Sequence, residues 1–232
     1  MMVQLTELLA GSRIEMGTHA AELETYQELL LSWNAKMDLT NVAPEEMALR
    51  HYADSLVPLR NVKWFARGAS MIDVGTGAGF PGMAIGIMRP DMKILLLDSL
   101  KKRCDFLTAV VTELRLKNVT VLHARAEDAA REKWRGSFDL SAARAVAPMR
   151  VLLEYLLPFV KVGGHALCWK GPGLEEELSE LKSALFLLKG QLGERMLLDL
   201  PGLEHSVQAV IKTAPTPAPY PRKAGLPKKN PL

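Results

Sequence analysis

A glycine-rich run with the sequence DVGTGAGFPG, from Asp73 to Gly82, carries the clearest chemical signal in this chain of 232 residues. It follows a short apolar segment, residues 69–74, that has the length of a buried strand. Glycines after a strand allow a sharp turn and let a ligand approach the backbone closely. The loop therefore predicts a ligand site, although a purely structural turn is an alternative, and Gly77-x-Gly79-x-x-Gly82 also satisfies the dinucleotide-binding pattern.

Two carboxylates indicate which ligand suits this loop. Asp73 ends the first strand, and its negative charge would repel a pyrophosphate at the following helix N-terminus. S-adenosylmethionine carries an ammonium and a sulfonium and no phosphate, so the same carboxylate favours it. Asp98 ends the second strand, where an acidic side chain accepts ribose hydroxyls, and Ala126 and Glu127 follow the third, where they border an adenine ring. We therefore expect S-adenosylmethionine as the cofactor, with an NAD-dependent oxidoreductase as the alternative.

Strands and helices have to alternate along the chain to bring these residues together. This alternation indicates a mostly parallel sheet with helices on both faces. Strands are predicted at residues 69–74, 93–98, 119–124, 138–143 and 165–170, and helices at 81–90, 100–116, 149–160 and 174–189. Two last strands, near residues 194–200 and 207–213, are close in sequence and predict an antiparallel hairpin at the sheet edge. The expected fold class is α/β, Rossmann-like, with seven strands.

The first 67 residues have helical periodicity instead. Apolar side chains between Leu23 and Met37 recur every three or four residues, which places them on one face of a helix. This part of the chain is also acidic, because residues 1–54 contain three basic and nine acidic side chains. We predict an N-terminal helical cap at 1–67, an S-adenosylmethionine-binding methyltransferase domain at 68–213 and a basic, proline-rich C-terminal arm at 214–232.

Positive charge is concentrated at the C-terminus, although the whole chain carries a net charge of only +3. The last 28 residues contain five basic and no acidic side chains. Such an extended segment is typical of nucleic-acid binding, because cations can follow the phosphates while a tyrosine stacks on an unpaired base. A solvated tail is the alternative. The candidate RNA-binding residues are Lys170, at the end of the fifth strand, and Tyr220, Arg222, Lys223, Lys228 and Lys229.

The end of the fourth predicted strand excludes one kind of methyl transfer. Enzymes that methylate exocyclic amines of bases place Asp or Asn before Pro-Pro and an aromatic residue there, whereas this chain has ARAVAP from Ala143 to Pro148. Methylation at C5 of a pyrimidine needs a cysteine nucleophile, usually after a proline, and Cys104 and Cys168 lack that context. We expect both cysteines to be buried as small apolar side chains.

A ring nitrogen with a free lone pair, such as guanine N7 in RNA, remains as the acceptor. It carries no proton, so no general base is required, and alignment of nucleophile and methyl group supplies most of the acceleration. Arg144 could stack near the cofactor or neutralise RNA at the reacting centre. The Arg50-His51 pair could contact RNA or brace the N-terminal helices, and we favour bracing.

Five motifs in this order make the chain similar to the RsmG family, also called GidB. They are RHYADSL from Arg50, DVGTGAGFPG from Asp73, DSLKKR from Asp98, ARAV from Ala143 and YPRKAG from Tyr220. The resemblance implies the S-adenosylmethionine-dependent methyltransferase fold and methylation of N7 of a guanine in the 530 loop of 16S rRNA. It also implies cofactor contacts at Gly75, Phe80, Ala126, Glu127 and Arg144. With the residues expected from spacing, the candidate cofactor set is Asp73, Gly75, Gly77, Gly79, Phe80, Asp98, Ala126, Glu127 and Arg144.

Composition sets the remaining expectations. The chain is 48% hydrophobic and 24% charged, as in soluble globular proteins, and no apolar run reaches the roughly 18 residues of a membrane span. We expect a cytoplasmic monomer with no membrane partner and no metal. The expected substrate is 16S rRNA or a small-subunit assembly intermediate. A non-catalytic ribosome-binding factor that retains a cofactor fold is the second alternative to a methyltransferase.

Overall fold

The computed structural model describes residues 1–10 and 14–232 of the chain. The region before the sheet is built from helices and helical turns, as its periodicity predicts. It consists of α1 (Met2–Ala10), α2 (Ala20–Asn34), a π-helical segment (Ala48–Ala53), α3 (Asp54–Leu56) and 3-10 turns at Gly17–His19, Pro44–Glu46 and Val57–Arg60.

A seven-stranded sheet forms the centre of the molecule. Its strands are β1 (Ser70–Val74), β2 (Lys93–Asp98), β3 (Val119–His123), β4 (Phe138–Arg144), β5 (Val160–Lys170), β6 (Gly190–Leu197) and β7 (Ser206–Lys212). They lie in the order β3-β2-β1-β4-β5-β7-β6, and β7 runs antiparallel to the other six strands of this sheet. The predicted mostly parallel sheet with an antiparallel hairpin at its edge is confirmed.

Helices on both faces of the sheet connect the strands, and one further helix follows the last strand. They are α4 (Gly82–Met88), α5 (Lys101–Glu113), α6 (Ala126–Ala129), α7 (Met149–Leu156), α8 (Leu174–Ser179), α9 (Lys182–Leu188) and, near the C-terminus, α10 (Leu226–Lys229). In β2, Ile94 and Leu96 are buried in one hydrophobic cluster, and Leu95 and Leu97 are buried in a second cluster. Side chains of a strand alternate between the two faces, so a strand covered on both faces needs a continuous apolar sequence.

The N-terminal helices belong to the first of these clusters. Leu5, Leu23 and Tyr26 are fully buried in it together with Met83 of α4 and Phe106 of α5. The cap therefore packs against one face of the sheet and its helices. The domain boundary at residue 67 stays a prediction, because the hydrophobic cluster extends across it.

Several element boundaries differ from the predicted ones, most clearly around β5 and between α8 and β6. β5 begins at Val160 instead of residue 165, because Gly163 takes a φ of +87° and the strand continues through a shift in its register with β4. The predicted helix at 174–189 is divided into α8 and α9. Lys189, with a φ of +60°, ends α9, and β6 begins directly at Gly190, where a Cβ would lie only 2.9 Å from the side chain of Leu157.

The C-terminal residues fold back onto the sheet. Tyr220 and Leu232 pack against the second hydrophobic cluster, and Pro221 and Pro227 are buried. The expectation of an extended segment is wrong, because the apolar side chains between the cations find a surface to bury against. Within the two described ranges, no helix has the length and apolar character to cross a membrane.

Lys212 in β7 is a buried cation whose ionisation affects stability. It is 2% exposed, and its Nζ donates hydrogen bonds to the backbone oxygens of Leu157 and Val160. Loss of hydration lowers its pKa from 10.5 to about 8. Between these two values the unfolded chain binds more protons than the folded chain, so the free energy of unfolding rises with pH over this range.

We predict that the free energy of unfolding of the wild type, relative to Lys212→Met, rises by about 2 kcal/mol between pH 7.5 and 9.5. The methionine variant keeps the side-chain length and removes the titrating group, so it isolates this effect from other titrations. Urea unfolding at the two pH values measures it. If the free energies of unfolding of the two proteins differ by the same amount at both pH values, the prediction is contradicted.

Candidate active site

A buried carboxylate holds the glycine loop after β1 in place. Oδ2 of Asp73 accepts hydrogen bonds from the Thr76 hydroxyl (2.7 Å) and from the Gly82 N–H (2.8 Å). A Cβ at Gly82 would lie 2.7 Å from this carboxylate, so the close approach requires glycine. A protein carboxylate thus occupies the position at the start of α4 where a dinucleotide site would bind pyrophosphate. This contact argues against the NAD-dependent alternative.

The other oxygen of Asp73, Oδ1, is buried and has no hydrogen-bond partner among the described residues. Burial raises the pKa of this carboxyl to about 6, although the hydrogen bonds from Thr76 and Gly82 act in the opposite direction. A buried carboxylate that is not fully paired carries a desolvation cost. A ligand with positive charge near the loop would offset this cost, and Asp73 therefore favours a cation.

Asp98, at the end of β2, connects two loops. Its Oδ2 accepts a hydrogen bond from the Gly77 N–H (3.0 Å) and its Oδ1 from the Leu100 N–H (2.9 Å). The residue is 3% exposed. Each carboxylate oxygen has a second lone pair, so both can still accept a ribose hydroxyl. Asp98 caps the strand end, and the same carboxylate remains a candidate ribose acceptor.

A cavity of about 160 Å³, called here the strand-end cavity, lies at the carboxyl ends of the parallel strands. Four of the candidate cofactor residues line it, namely Gly75, Asp98, Ala126 and Glu127. Distant segments add lining residues that the sequence analysis did not assign to the cofactor: Val146, Tyr155, Gly225 and Lys228. The YPRKAG motif was a signal for Gly225, and Lys228 lies three residues after it, but the basic residues of this segment pointed to RNA instead.

The remaining glycines of the loop have different surroundings. Gly77 has a φ of +61°, and the only non-adjacent atom near its missing Cβ is the Gly75 oxygen, at 4.0 Å. A Cβ at Gly79 would lie 2.4 Å from the hydroxyl of Tyr26. Gly79 thus makes room for a cap residue, whose hydroxyl donates a hydrogen bond to the Ala78 oxygen (2.5 Å). Cofactor contacts of Gly77 and Gly79 stay predictions.

Phe80 and Arg144 lie beside the loop and contact the cap. The ring of Phe80 stacks on that of His51 at 4.5 Å, and the Arg144 guanidinium lies 5.3 Å from the centre of the Phe80 ring. Arg144 donates hydrogen bonds to the Arg50 oxygen (2.9 Å) and to Nδ1 of His51 (3.1 Å). Both candidate cofactor residues therefore contact the π-helical segment of the cap. The sequence did not predict that this segment lies beside the glycine loop.

His51 is a neutral bracing residue. Burial and, secondarily, the Arg144 charge lower its pKa to about 3. The neutral tautomer with hydrogen on Nε2 satisfies both contacts, because Nδ1 accepts from Arg144 and Nε2 donates to the Thr40 hydroxyl (2.7 Å). The bracing role favoured from the sequence is confirmed for His51, whereas the Arg50 side chain forms an exposed ion pair with Glu46.

Asp54 joins these elements. It is fully buried, and its carboxylate accepts hydrogen bonds from Arg144 (2.7 Å) and from Nδ1 of His205 (2.6 Å). Its backbone oxygen accepts a hydrogen bond from Nε1 of Trp169 in β5 (2.9 Å). Four segments that are far apart in the chain meet at this residue. Asp54 belongs to the RHYADSL motif, but the local sequence indicates no partner for it.

Two of the candidate RNA-binding cations already have partners within the protein. Nζ of Lys170 lies 2.8 Å from Oε2 of Glu177, and Arg222 forms an ion pair with the buried Glu154 (2.6 Å). These contacts remove both residues from the group of free cations. Tyr220 packs against the second hydrophobic cluster. Lys223, Lys228 and Lys229 are exposed, and none of the three has an ion-pair partner in the part of the chain that the structure describes.

The two cysteines are not placed as nucleophiles, and no metal site accompanies them in the described ranges. Cys104 and Cys168 are both buried free thiols, as expected. Burial raises the pKa of Cys168 to about 12, so its nucleophilic thiolate form is disfavoured. Residues 1–10 and 14–232 contain no cluster of His, Cys, Asp and Glu side chains suited to a metal ion.

Comparison with known proteins identifies the family. Residues 19–197 match the family GidB, described as rRNA small subunit methyltransferase G. The chain belongs to the GidB family. A relative from Alkaliphilus oremlandii, named ribosomal RNA small subunit methyltransferase G, is 44% identical over 98% of this chain and 97% of its own length. A relative of the same name from Desulfitobacterium hafniense is also 44% identical, over 97% and 91% of the two chains.

Solved structures support the same fold. The chain is similar to a TehB-like SAM-dependent methyltransferase from Corynebacterium glutamicum, with a TM-score of 0.53 and 16% identity over 82% of this chain and 99% of the other. It is also similar to a SAM-dependent methyltransferase from Aquifex aeolicus, with a TM-score of 0.52 and 21% identity over 78% and 97% of the chains. The predicted Rossmann-like methyltransferase fold is confirmed.

As a GidB family member, the chain is a methyltransferase that uses S-adenosylmethionine. The residues at the strand ends fit this cofactor. The unpartnered Oδ1 of Asp73 suits a cationic group, and Asp98 lines the cavity with free lone pairs for a ribose. Gly75, Ala126 and Glu127 would hold the nucleoside part, with Phe80 and Arg144 beside it. These individual contacts stay predictions.

The raised pKa of Asp73 predicts a pH dependence of cofactor binding. A cation binds preferentially to the ionised carboxylate, which is populated above the pKa of about 6. We predict that the Kd for S-adenosylmethionine at pH 5 is about tenfold higher than at pH 7. Calorimetric titration measures it. In Asp73→Asn this pH dependence should vanish, and an equal pH dependence in both proteins would contradict the assignment.

The ion pair between Arg144 and Asp54 predicts a coupling of stability. Arg144→Met leaves a fully buried carboxylate with one partner fewer, and we expect a loss of about 3 to 5 kcal/mol in the free energy of unfolding. The free energy of unfolding of the double variant Asp54→Asn, Arg144→Met should decrease less than that of Arg144→Met, because the double variant buries no uncompensated charge. Urea unfolding of the single and double variants measures the coupling energy. Additive losses would show that the pair does not hold the cap.

Proposed function

We propose that this protein transfers a methyl group from S-adenosylmethionine to N7 of a guanine in the 530 loop of 16S rRNA. It acts in the cytoplasm as a monomer, on the small ribosomal subunit or an assembly intermediate of it. The observation that carries the proposal is a cavity at the strand ends that Gly75, Asp98 and Glu127 line, in a member of the GidB family. The names of the relatives support ribosomal RNA as the substrate.

The geometry suits a transfer that needs no general base. Guanine N7 has a free lone pair and carries no proton. When bound, S-adenosylmethionine supplies an electrophilic methyl group on its sulfonium. The contribution of the protein is alignment, which holds the nucleophile and the methyl carbon about 3 to 3.5 Å apart. His51, the imidazole that contacts Arg144, is neutral and has both ring nitrogens engaged, so it is unsuited to accept a proton.

Arg144 is a positioning residue in this proposal. Its guanidinium is fixed by Asp54, by His51 and by the Arg50 oxygen, so it presents one geometry to the ligands. The side chain remains 16% exposed, which leaves part of it accessible from the cleft. Arg144 contacts the ring of Phe80 and so helps to position this candidate cofactor residue. The exposed part of its guanidinium is available to an RNA phosphate.

Positive charge for RNA comes from the exposed lysines of the C-terminal segment. Lys223 and Lys229 are exposed cations without an intramolecular carboxylate in the described structure. Lys228 is exposed at the margin of the strand-end cavity. We infer that these lysines contact phosphates near the reacting base, whereas Lys170 and Arg222 serve the fold through their own carboxylates.

Methyl transfer to RNA from a strain that lacks this gene tests the function. Purified protein with labelled S-adenosylmethionine is incubated with free 16S rRNA and with small-subunit particles, and the modified nucleotide is mapped by mass spectrometry. The expected product is one N7-methylguanine in the 530 loop, recognised by chain scission after borohydride and aniline treatment. Binding of RNA without any methyl transfer would favour the non-catalytic ribosome-binding factor.

The ribose assignment predicts the kinetics of a variant at the end of β2. Asp98→Ala removes both acceptor oxygens, and hydrogen bonds to a charged group contribute about 1.5 to 3 kcal/mol. We expect the KM for S-adenosylmethionine to rise at least about tenfold, with a smaller change in the KM for RNA. Asp105→Ala, at an exposed carboxylate of α5, is the matched control. An unchanged KM in Asp98→Ala would refute the ribose contact.

The lysine contacts predict the salt dependence of RNA binding. Each phosphate contact of single-stranded RNA contributes about 0.7 to the slope of log K against log salt concentration. Lys223→Ala with Lys229→Ala should therefore reduce the slope by about 1.4. Lys63→Ala with Lys93→Ala removes two exposed lysines elsewhere and is the control. A slope equal to that of the wild type would show that the C-terminal lysines do not touch RNA.

A further inference from the structure

The last 13 residues, 220–232, form a segment that we call the C-terminal strap. Its main anchor is an ion pair to a buried carboxylate. Arg222 donates hydrogen bonds to Glu154 from its backbone N–H (2.7 Å), its Nε (2.9 Å) and its Nη2 (2.6 Å), and Glu154 in α7 is fully buried. A buried carboxylate requires a close cation, so the strap supplies charge that α7 needs.

Three arginines of the preceding domain fix the backbone of the strap and the residues before it. Arg131 donates to the Pro221 oxygen (2.8 Å), Arg135 to the Tyr220 oxygen (2.8 Å), and Arg150 to the Leu232 oxygen (2.5 Å). Arg135 also donates to the oxygens of Thr216 and Pro217. The strap therefore contributes acceptors as well as cations, and it is held at both of its ends.

The middle of the strap reaches the strand-end cavity. The Gly225 N–H donates a hydrogen bond to Oε1 of Glu127 (3.0 Å), and Gly225 and Lys228 line the cavity together with Asp98 and Glu127. Gly225 has a φ of +83°, which glycine adopts without strain. Glu127 is 5% exposed, so its carboxylate lies between the cavity and the strap.

We propose that the C-terminal strap is a wall of the cofactor site and that docking of the strap and binding of S-adenosylmethionine stabilise each other through Glu127. The inference rests on cofactor binding at the strand-end cavity. A ligand in the cavity contacts the docked arrangement of Glu127, and the docked strap in turn fixes that carboxylate before the ligand arrives. Linkage makes this effect reciprocal. If docking of the strap raises the affinity for the cofactor by a given factor, cofactor binding raises the equilibrium constant for strap docking by the same factor. Glu127 is then a positioning residue for the strap.

Gly225→Pro tests the proposal without disturbing the anchor at Glu154. Proline lacks the N–H that bonds Glu127 and its ring excludes a φ of +83°, so this part of the strap leaves the cavity. We expect the Kd for S-adenosylhomocysteine, measured by calorimetry, to rise at least tenfold. A truncated chain ending at Pro219 should show a similar increase. Gly202→Pro, at another glycine of positive φ in an exposed turn, is the matched control and should bind as the wild type does.

Trypsin digestion gives the reciprocal measurement on the full-length protein. Saturating S-adenosylhomocysteine should slow cleavage after Lys223, Lys228 and Lys229 about tenfold in the wild type and have no such effect in Gly225→Pro. Circular dichroism verifies that each variant is folded. If the strap of folded Gly225→Pro is cleaved rapidly while its Kd equals that of the wild type, the proposal is overturned. A wild type that binds no S-adenosylhomocysteine would instead refute cofactor binding itself.

Discussion

The buried carboxylate of Asp54 is the contact on which the arrangement of the active-site mouth depends. A charge removed from water has to be paired, and here Arg144 and His205 pair it from opposite sides while Trp169 binds the backbone of the same residue. These contacts fix the N-terminal cap against the sheet. The docked position brings His51 onto Phe80 and holds Arg144 beside the glycine loop. The helical cap is thereby a part of the site.

The site is built from buried carboxylates that bind backbone N–H groups. Asp73 holds the start of α4, Asp98 holds the loops that follow β1 and β2, and Glu127 holds the C-terminal strap. Negative charge at the strand ends opposes a phosphate and favours an ammonium or a sulfonium. The same carboxylates thus shape the loops and select a cationic cofactor, which explains how a loop with a literal dinucleotide pattern serves a methyltransferase.

The C-terminal segment shows that a basic composition does not specify a partner. Arg222 neutralises a carboxylate of α7, whereas Lys223 and Lys229 remain exposed to solvent. Arginine forms several hydrogen bonds in a fixed geometry and is suited to internal pairing, while lysine is a strongly hydrated point charge that stays at the surface. One short motif thus contains an arginine that serves the fold, a glycine that lines the strand-end cavity and a lysine that stays exposed.

Local patterns in the sequence determined the strands, the order of the elements and the loop residues from Asp73 to Gly82, because a short apolar run and a glycine spacing are properties of neighbouring residues. Asp98 ends a strand and Ala126 and Glu127 come shortly after one, so the sequence also indicated that they lie at the carboxyl edge of the sheet, where all three line the strand-end cavity. Their contacts with the cofactor stay predictions. The antiparallel hairpin also followed from a short connection.

Tertiary structure alone decided which distant charges meet. The pairs of Asp54 with Arg144 and of Arg222 with Glu154 join segments 90 and 68 residues apart, and nothing in the local sequence marks one arginine as the partner of one carboxylate. Packing also decided that the C-terminus folds back, since apolar residues such as Leu232 bury wherever a matching surface exists. Composition gives the number of charges in a segment, and only the folded chain shows which of them are already paired.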